Sequence, residues 1–340
     1  MANTISELTI YELNNSELDE ARTFRNSMFT PVDPDQWRVM NCTAVIAREG
    51  EKLVGCIPLQ FRQQVLRPGV VIPVVYENAV GVLNEVQGKG IGTRMLDAAA
   101  DFMADRVDAL MVLRGGEREA GYRFYRKTGH GDVLHSVDYI LPKENVIPQV
   151  NGCEVLKVSR EDWLRDISLV NLPANVFAGG RPREAGYWNM ILDSHVFKHH
   201  GWELFIARRN GRPVGYLLGV HGTWSDKDDL VVFEAAGSDT DTTVSLLSAA
   251  QDLSRSGTLR LRMISLSNPI RETLDGLGGI SGETTPQLMA RILNPERIFK
   301  RLADGTDFAE RVSVSVVTPH RTVVLSNPEN PRFHVRLELK

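Results

Sequence analysis

The sequence is poor in cysteine, has no long apolar run and carries little excess charge of either sign. Each shortage excludes something. The three cysteines, Cys42, Cys56 and Cys153, form no CxxC pair, so neither a disulfide framework nor a metal site is indicated, and all three are expected as small buried hydrophobes. No stretch approaches the roughly eighteen uninterrupted apolar residues of a membrane-spanning helix, so no membrane association is expected. The opening MANTISELTIYELNN lacks the basic start and apolar core of a secretory signal, which points to a cytoplasmic location. A net charge of -4 exerts no long-range pull on nucleic acid, and none is expected as a partner. What is present is an average globular composition, 42% hydrophobic and 24% charged over 340 residues. That is room for two domains of an enzyme or a small-molecule binder.

A repeat organises the chain. AVIAREGEKLVGC (44–56) and LFIARRNGRPVGY (204–216) align at one constant offset, with Ile46/Ile206, Ala47/Ala207, Arg48/Arg208, Val54/Val214 and Gly55/Gly215 coinciding. Each reads as strand, glycine-containing turn, strand. A strand and an amphipathic helix precede both copies: LTIYEL with a helix from Glu17 to Met28, and EVLKVS with a helix from Glu161 to Asn171. A period this long fits two copies of one mixed α/β domain rather than a solenoid. The expected boundaries are 1–142 for the first domain, 143–152 for a Pro- and Gly-containing linker, and 153–288 for the second domain. A small C-terminal segment, 289–340, should contain a helix with Ile298, Leu302 and Ala303 on one face. Strands at 312–317, 321–325 and 333–339 follow, and the segment should lean on the domains before it.

The chemistry is concentrated in AVGVLNEVQGKGIGTRMLDAAADFMADR (79–106). A β-rich strand leads to glycines at 88, 90 and 92, and Met95, Leu96, Ala99, Phe102 and Met103 then recur at helical spacing. Strand, glycine-rich loop and helix together make an anion site. The loop backbone can approach a ligand, the first-turn N–H groups are unpaired, and the helix dipole favours negative charge. Lys89 and Arg94 could add positive charge, and a pyrophosphate is the expected guest. The two common phosphate fingerprints fail, because Lys89 precedes the last glycines and position 95 is Met rather than Gly.

Gln87-Gly88-Lys89-Gly90-Ile91-Gly92 resembles the Gln/Arg-x-x-Gly-x-Gly/Ala signature of the GCN5-related N-acetyltransferase (GNAT) superfamily. Phe124-Tyr125-Arg126-Lys127-Thr128-Gly129 is similar to that family's FYxKxGF helix, with His130 in place of the final aromatic. The resemblance implies acetyl-CoA as co-substrate, without metal, held by Val80, Gly81, Val82, Gln87, Gly88, Lys89, Gly90, Ile91, Gly92 and Thr93. It implies Tyr125 as the acid that protonates the leaving thiolate, with Tyr122 a weaker alternative. The base is left between Glu77, Glu117 and Glu119, with Glu77 the leading candidate. His130 is either a satisfied histidine or part of the substrate pocket.

In the second copy, VVFEAAG (231–237) leads into SDTDTTVSLLSAAQDL. Asp239 and Asp241 there would repel a pyrophosphate, so this copy should keep the scaffold without the site and wall the first domain's acceptor pocket. Tandem copies, a degenerate second half and a distinct tail resemble the Eis-type acetyltransferases, whose C-terminal domain is sterol-carrier-like. The expected activity is acetyl transfer to the primary amine of a small molecule or peptide. The alternatives are a non-catalytic CoA-binding module and an apolar-ligand carrier that uses the tail. A homo-oligomer is compatible with the sequence. His199-His200, the aromatics Phe177, Trp188, Trp202 and Trp224, and the basic, glycine-rich GGRPRE (179–184) carry no functional assignment.

Overall fold

The structure, a computed structural model, describes residues 7–29, 31, 42–113, 116, 121–170, 177–183, 186–193, 201–222, 228–304, 312–317, 322–326 and 333–338. The first repeat runs through β1 (Leu8–Glu12), α1 (Leu18–Met28), β2 (Cys42–Glu49), β3 (Lys52–Arg67), β4 (Val70–Glu77), β5 (Gly81–Val82), α2 (Ile91–Met103), β6 (Ala109–Val112), α3 (Tyr122–Lys127) and β7 (Gly131–Leu141). The second runs through β8 (Glu154–Lys157), α4 (Arg160–Ile167), α5 (Tyr187–Leu192), β9 (Glu203–Arg209), β10 (Arg212–His221), β11 (Leu230–Gly237), α6 (Thr240–Leu253), β12 (Leu259–Ser265), α7 (Ile270–Gly276), β13 (Ile280–Ser281) and β14 (Thr285–Ile292). The fold is mixed α/β, with the two repeats in tandem. Helix α4 ends at Ile167, short of the expected Asn171, which lies outside the described residues.

The repeated glycines have a packing reason. Ala47 pairs with Gly55 and Ala207 with Gly215, each beside a bulge. A Cβ on Gly55 would lie 2.6 Å from the sulfur of Met95 on α2, and one on Gly215 would lie 2.8 Å from Cγ2 of Thr242 on α6. In both repeats the helix that follows the glycine or aspartate loop crosses directly over this point. Its apolar stripe forms the core of its half: Ile91, Met95, Leu96, Ala99, Ala100 and Met103 are buried on α2. Phe102, expected on that stripe, falls at its edge and is 37% exposed.

The two halves share one sheet, in the order β1-β2-β3-β4-β6-β14-β7-β12-β11-β10-β9-β8 among the described strands. β7 is the seam. Its residues 131–136 pair with β14, and its residues 136–141 pair with β12 on the other edge. β14 is the last strand of the second repeat in sequence, yet it lies between β6 and β7 of the first; it also straddles the boundary expected at 288. The segment between β7 and β8 has no helix or strand, and it is docked rather than loose. Ile147 is buried, and its N–H donates to Gln251 Oε1 on α6 at 3.0 Å.

The C-terminal segment begins with α8 (Pro295–Ala303). Arg297 anchors it beyond the end of α2, pairing with buried Asp108 and donating to the carbonyl of Val107 at 2.8 Å. Ala303 is buried, whereas Leu302 is exposed. β15 (Val312–Val317), β16 (Thr322–Ser326) and β17 (Phe333–Glu338) make a separate three-stranded sheet with β15 in the middle.

Candidate active site

The glycine loop ends at the start of α2 without a cap. Gly90 is the N-cap residue in a left-handed conformation, contributes no side-chain hydrogen bond, and no acidic residue follows in the first turn. The helix ladder starts only at Arg94, whose N–H reaches Gly90 O at 3.1 Å, so the preceding first-turn donors are those a helix leaves for a ligand. Gly88 and Gly90 have φ of +80° and +77°, and a Cβ at either would meet nothing within 4 Å. The backbone here is both shaped by glycine and open to an approaching group. Gly92 serves packing instead, since a Cβ there would sit 3.3 Å from the ring of Phe124 on α3. The Gln87 side chain turns back to brace the loop, donating to Val82 O at 3.0 Å and Asn84 Oδ1 at 2.9 Å.

Helix α3 is closed by a tight C-terminal motif. Gly129, at φ +86°, follows the last turn; its N–H bonds to Arg126 O and the N–H of His130 reaches Tyr125 O at 3.0 Å. This is the Schellman arrangement, which brings the residue after the glycine against the residue that opens the last turn. The two are His130 and Tyr125, whose rings meet edge to face at 5.3 Å. His130 therefore substitutes for an aromatic in packing and adds a function an aromatic lacks. Its Nε2 lies 3.2 Å from Oε1 of Glu77 and its Nδ1 lies 3.2 Å from Oγ1 of Thr128. Thr128 Oγ1 also donates to Tyr125 O at 3.0 Å. Which ring nitrogen donates and which accepts follows the tautomer of His130. The other carboxylate oxygen, Glu77 Oε2, is buried and takes no hydrogen bond from any described residue. A buried acceptor left open costs about 1–3 kcal/mol.

Glu77 ends β4 at a break in the sheet. β4 and β6 pair in parallel through Tyr76 and Met111 and then part. β4 itself bulges: Asn78 N bonds to Pro58 O, whereas Gly81 already opposes Cys56. The gap opens into a cleft of about 1340 Å³ that runs past Gly88, Gly90, Ile91 and Thr93 to Val80, Tyr125 and Glu77. Val82, Gln87 and Gly92 also line it; Gly81 and Lys89 do not. Gly81 is needed under α1, where a Cβ would sit 2.9 Å from the sulfur of Met28, and Lys89 is exposed. The cations that face the cleft from α3 are Lys127, which the sequence motif includes without a role, and Arg123, which it does not include.

The far end of the cleft is walled by the second half. Gly179, Arg181, Tyr187, Met190, Ile191 and Phe233 line it. The GGRPRE segment is stitched to β3, with Gly179 N donating to Val65 O and Val65 N to Gly180 O, both at 2.9 Å. On the first half's side stand Arg62, Gln64, Tyr76 and Asn78. Burial first, and the Glu234 carboxylate next, push the Tyr187 hydroxyl up to about 12 against the pull of Arg183, Arg181 and Arg62, and burial raises that of Tyr76 against Arg62 and Arg181. Trp188 belongs to the aromatic core behind this wall, edge to face with Trp163 and Tyr216. Glu117, Glu119, Trp224, His199 and His200 lie outside the described residues.

The second repeat fills its own anion position. Asp239 caps α6, accepting from Thr242 N at 2.8 Å, and pairs with Arg209 at 2.8 Å. Arg209 first, and Thr242 next, hold the Asp239 carboxyl well below the usual aspartate range. A carboxylate thus occupies the helix terminus that stays open in the first repeat. Among the described residues, no group of three or more His, Cys, Asp or Glu could hold a metal ion, and no helix is long and apolar enough to cross a membrane.

Comparisons agree with this geometry. The model of the acetyltransferase (GNAT) family matches residues 9–130. No curated protein matches by sequence. Among solved structures, a conserved protein of unknown function from Enterococcus faecalis V583, described as a probable N-acyltransferase, is 13% identical with a TM-score of 0.74, covering 98% of this chain and 88% of that one. Eis1 from Mycobacterium abscessus is 15% identical with a TM-score of 0.70, covering 97% and 87%. A GCN5-related N-acetyltransferase from Anabaena variabilis is 12% identical with a TM-score of 0.67, covering 96% and 84%. At these identities the likeness is one of fold, and it extends over both repeats.

Proposed function

We propose, from the premise that residues 9–130 belong to the acetyltransferase (GNAT) family, that this chain transfers an acetyl group from acetyl-CoA to a primary amine of a small molecule or peptide. One observation carries the reading. A single cleft joins an uncapped helix terminus, suited to a diphosphate, to a break in the sheet lined by Tyr125 and Glu77, with His130 between them. The pyrophosphate lies over residues 87–93, and the pantetheine arm passes through the gap beside Val80 and Val82.

The amine attacks as the neutral base. Its lone pair forms the C–N bond to the acetyl carbon, and the C–S bond breaks as CoA leaves. Glu77, buried at the edge of the cleft with Oε2 unbonded and Oε1 backed by His130, takes the proton the nitrogen sheds by way of an intervening water. Tyr125 hydrogen-bonds to the sulfur and gives it a proton as the C–S bond breaks; with an ordinary pKa near 10 against a thiol's near 8.5 it holds that proton until charge builds on sulfur, and the tyrosinate then recovers one from solvent.

The test is thiol release from acetyl-CoA against an amine panel, with Tyr125→Phe beside the wild type. The expected result is kcat lowered by about 10²–10⁴ at unchanged CoA affinity. Unchanged kcat in Tyr125→Phe removes the acid. Release that no amine stimulates removes the transferase.

A further inference from the structure

A second cavity, of about 400 Å³, lies in the second half and shares a wall with the cleft: Gly179, Arg181, Tyr187, Phe233 and Leu288 line both. It stands where the first half has its cofactor slot. Gly81 faces Cys56 and Ala236 faces Tyr216, at equivalent points of the repeat, so Ala235 corresponds to Val80. The bonds that follow also match, from Leu83 N to Val54 O at 3.0 Å and from Ser238 N to Val214 O at 2.8 Å.

β11 and β12 pair from Leu230/Leu259 to Val232/Leu261 and then part, as β4 and β6 do. No strand of the described residues stands opposite Ala235 on that side. Alternate residues of an antiparallel pair bond across it. Because Ser238 bonds to Val214, Ala236 also faces β10, and Ala235 directs its N–H and C=O into the gap. The other lip is held apart at Met263. Its φ of +54° is uncommon in a residue other than glycine, and its N–H is drawn off to Asp138 Oδ1 at 2.7 Å. Backbone strain of this kind gathers at binding sites.

The lining selects against charge. Asp239, with its partner Arg209 at 2.8 Å, fills the helix terminus at one end of the cavity and keeps phosphate out. Arg183 makes a two-point bond to Glu234, at 3.0 and 2.6 Å, and Arg262 lies 3.5 Å from Asp138. Arg181 stacks 4.9 Å from the ring centre of Tyr187. What is offered is a strand edge flanked by apolar and hydroxyl side chains, among them Leu261, Ile264, Thr240 and Thr243.

From this arrangement we infer that the acceptor is a short, uncharged, extended peptide. Its chain lies in the second slot with its amides bonded to the edge at Ala235. Its terminal amine crosses the shared wall at Tyr187 and Phe233 toward Glu77. A peptide is the ligand whose own groups repeat the N–H and C=O of a missing strand. The inference rests on the acetyl-transfer reading above and goes beyond it in naming the substrate class and a second place that holds it.

The test uses the full chain and acetyl-CoA, with L-alaninamide, hexylamine, tetra-alaninamide and a backbone N-methylated tetra-alaninamide as acceptors. The expected kcat/KM for tetra-alaninamide exceeds that for alaninamide and hexylamine by about tenfold or more, and N-methylation removes the gain. Thr273→Trp fills the slot from the half-buried face of α7 and should lower tetra-alaninamide to the level of alaninamide, with a urea midpoint reporting the fold. Independently of any variant, a tetrapeptide amide ending in benzoylphenylalanine should, on irradiation with the CoA-bound protein, label residues 261–273. Equal kcat/KM for alaninamide and tetra-alaninamide, a gain that survives N-methylation or a folded Thr273→Trp, or labelling confined to other segments overturns the peptide slot even while acetyl transfer stands. Failure to bind CoA at all overturns the reading beneath it.

Discussion

Nε2 of His130 and Oε1 of Glu77 lie 3.2 Å apart, and both side chains are sealed from solvent. A lone carboxylate in such a place is costly. The imidazole offsets that cost while leaving Oε2 without a donor. The pair is thus stable enough to persist and incomplete enough to accept a proton.

Glu77→Gln keeps the shape of the side chain and a hydrogen bond to His130. It is expected to fold normally, bind acetyl-CoA as the wild type does, and lose about 10²–10⁴ in kcat. His130→Ala leaves the carboxylate buried alone and should destabilise the chain by about 3–5 kcal/mol, with His130→Gln milder. Urea melts and steady-state kinetics separate the two effects. A Glu77→Gln enzyme within threefold of wild-type kcat shows that the proton goes elsewhere.

The two repeats invite an exchange at their helix termini. Gly90→Asp should place a carboxylate where the pyrophosphate is expected, at some cost in backbone strain because Gly90 is left-handed whereas the capping Asp239 is extended. CoA affinity should fall at least about tenfold with the fold retained, as read by calorimetry and circular dichroism. Asp239→Ala should cost about 0.5–2 kcal/mol of stability without touching CoA binding. Because the folded Asp239 carboxyl is held below its ordinary range, its contribution is complete above that range and is lost as pH falls through the depressed value. The difference between Asp239→Ala and wild type should therefore be full at pH 7 and shrink only in strong acid. Undiminished CoA affinity in Gly90→Asp would falsify the proposed phosphate seat.

What the sequence disclosed follows from locality. The hairpins, the glycine loop and the helix closed at Gly129 are fixed by neighbours within a few residues, so turn chemistry and periodicity reveal them. Phe102 misled because a residue at the edge of an apolar stripe fits the period and still faces water. His130 was legible only as a departure from a pattern. Its partner Glu77 lies 53 residues earlier, and no spacing rule links a strand end to a helix cap. Arg181 was equally hidden, because a basic, glycine-rich segment reads as loop until β3 is found to pair with it. The insertion of β14 between β6 and β7 had no local mark at all.

Gly55 and Gly215 are equivalent by repeat and should differ in tolerance. A Cβ at Gly55 meets the sulfur of Met95 at 2.6 Å, the mobile part of a flexible side chain that can turn aside. A Cβ at Gly215 meets Cγ2 of Thr242 at 2.8 Å and the backbone oxygen of Ala236 at 2.9 Å, and the latter belongs to the sheet. Gly55→Ala is therefore expected near 1 kcal/mol and Gly215→Ala near 3 kcal/mol, within the usual ~1–3 kcal/mol range for overpacking. Equal denaturation midpoints for the two variants would contradict this account.

Residues 1–142, expressed alone, should not form a stable domain although they contain the whole candidate cofactor seat. They lack β14, which pairs with β6 from Met289 to Ile292 and with β7 from Thr285 to Ala290. Without it both strands present unpaired edges inside the sheet, and Met289, fully buried in the first core, is missing. Open edges of this kind pair with other chains, so the fragment should be recovered as aggregate. Adding residues 143–284 supplies the second repeat up to β13 but not the missing strand, and should not rescue it; residues 1–304 should fold. Sedimentation and amide exchange on the three lengths decide the matter, and a monomeric, protected 1–142 would mean that β6 and β7 can close on each other without the strand between them.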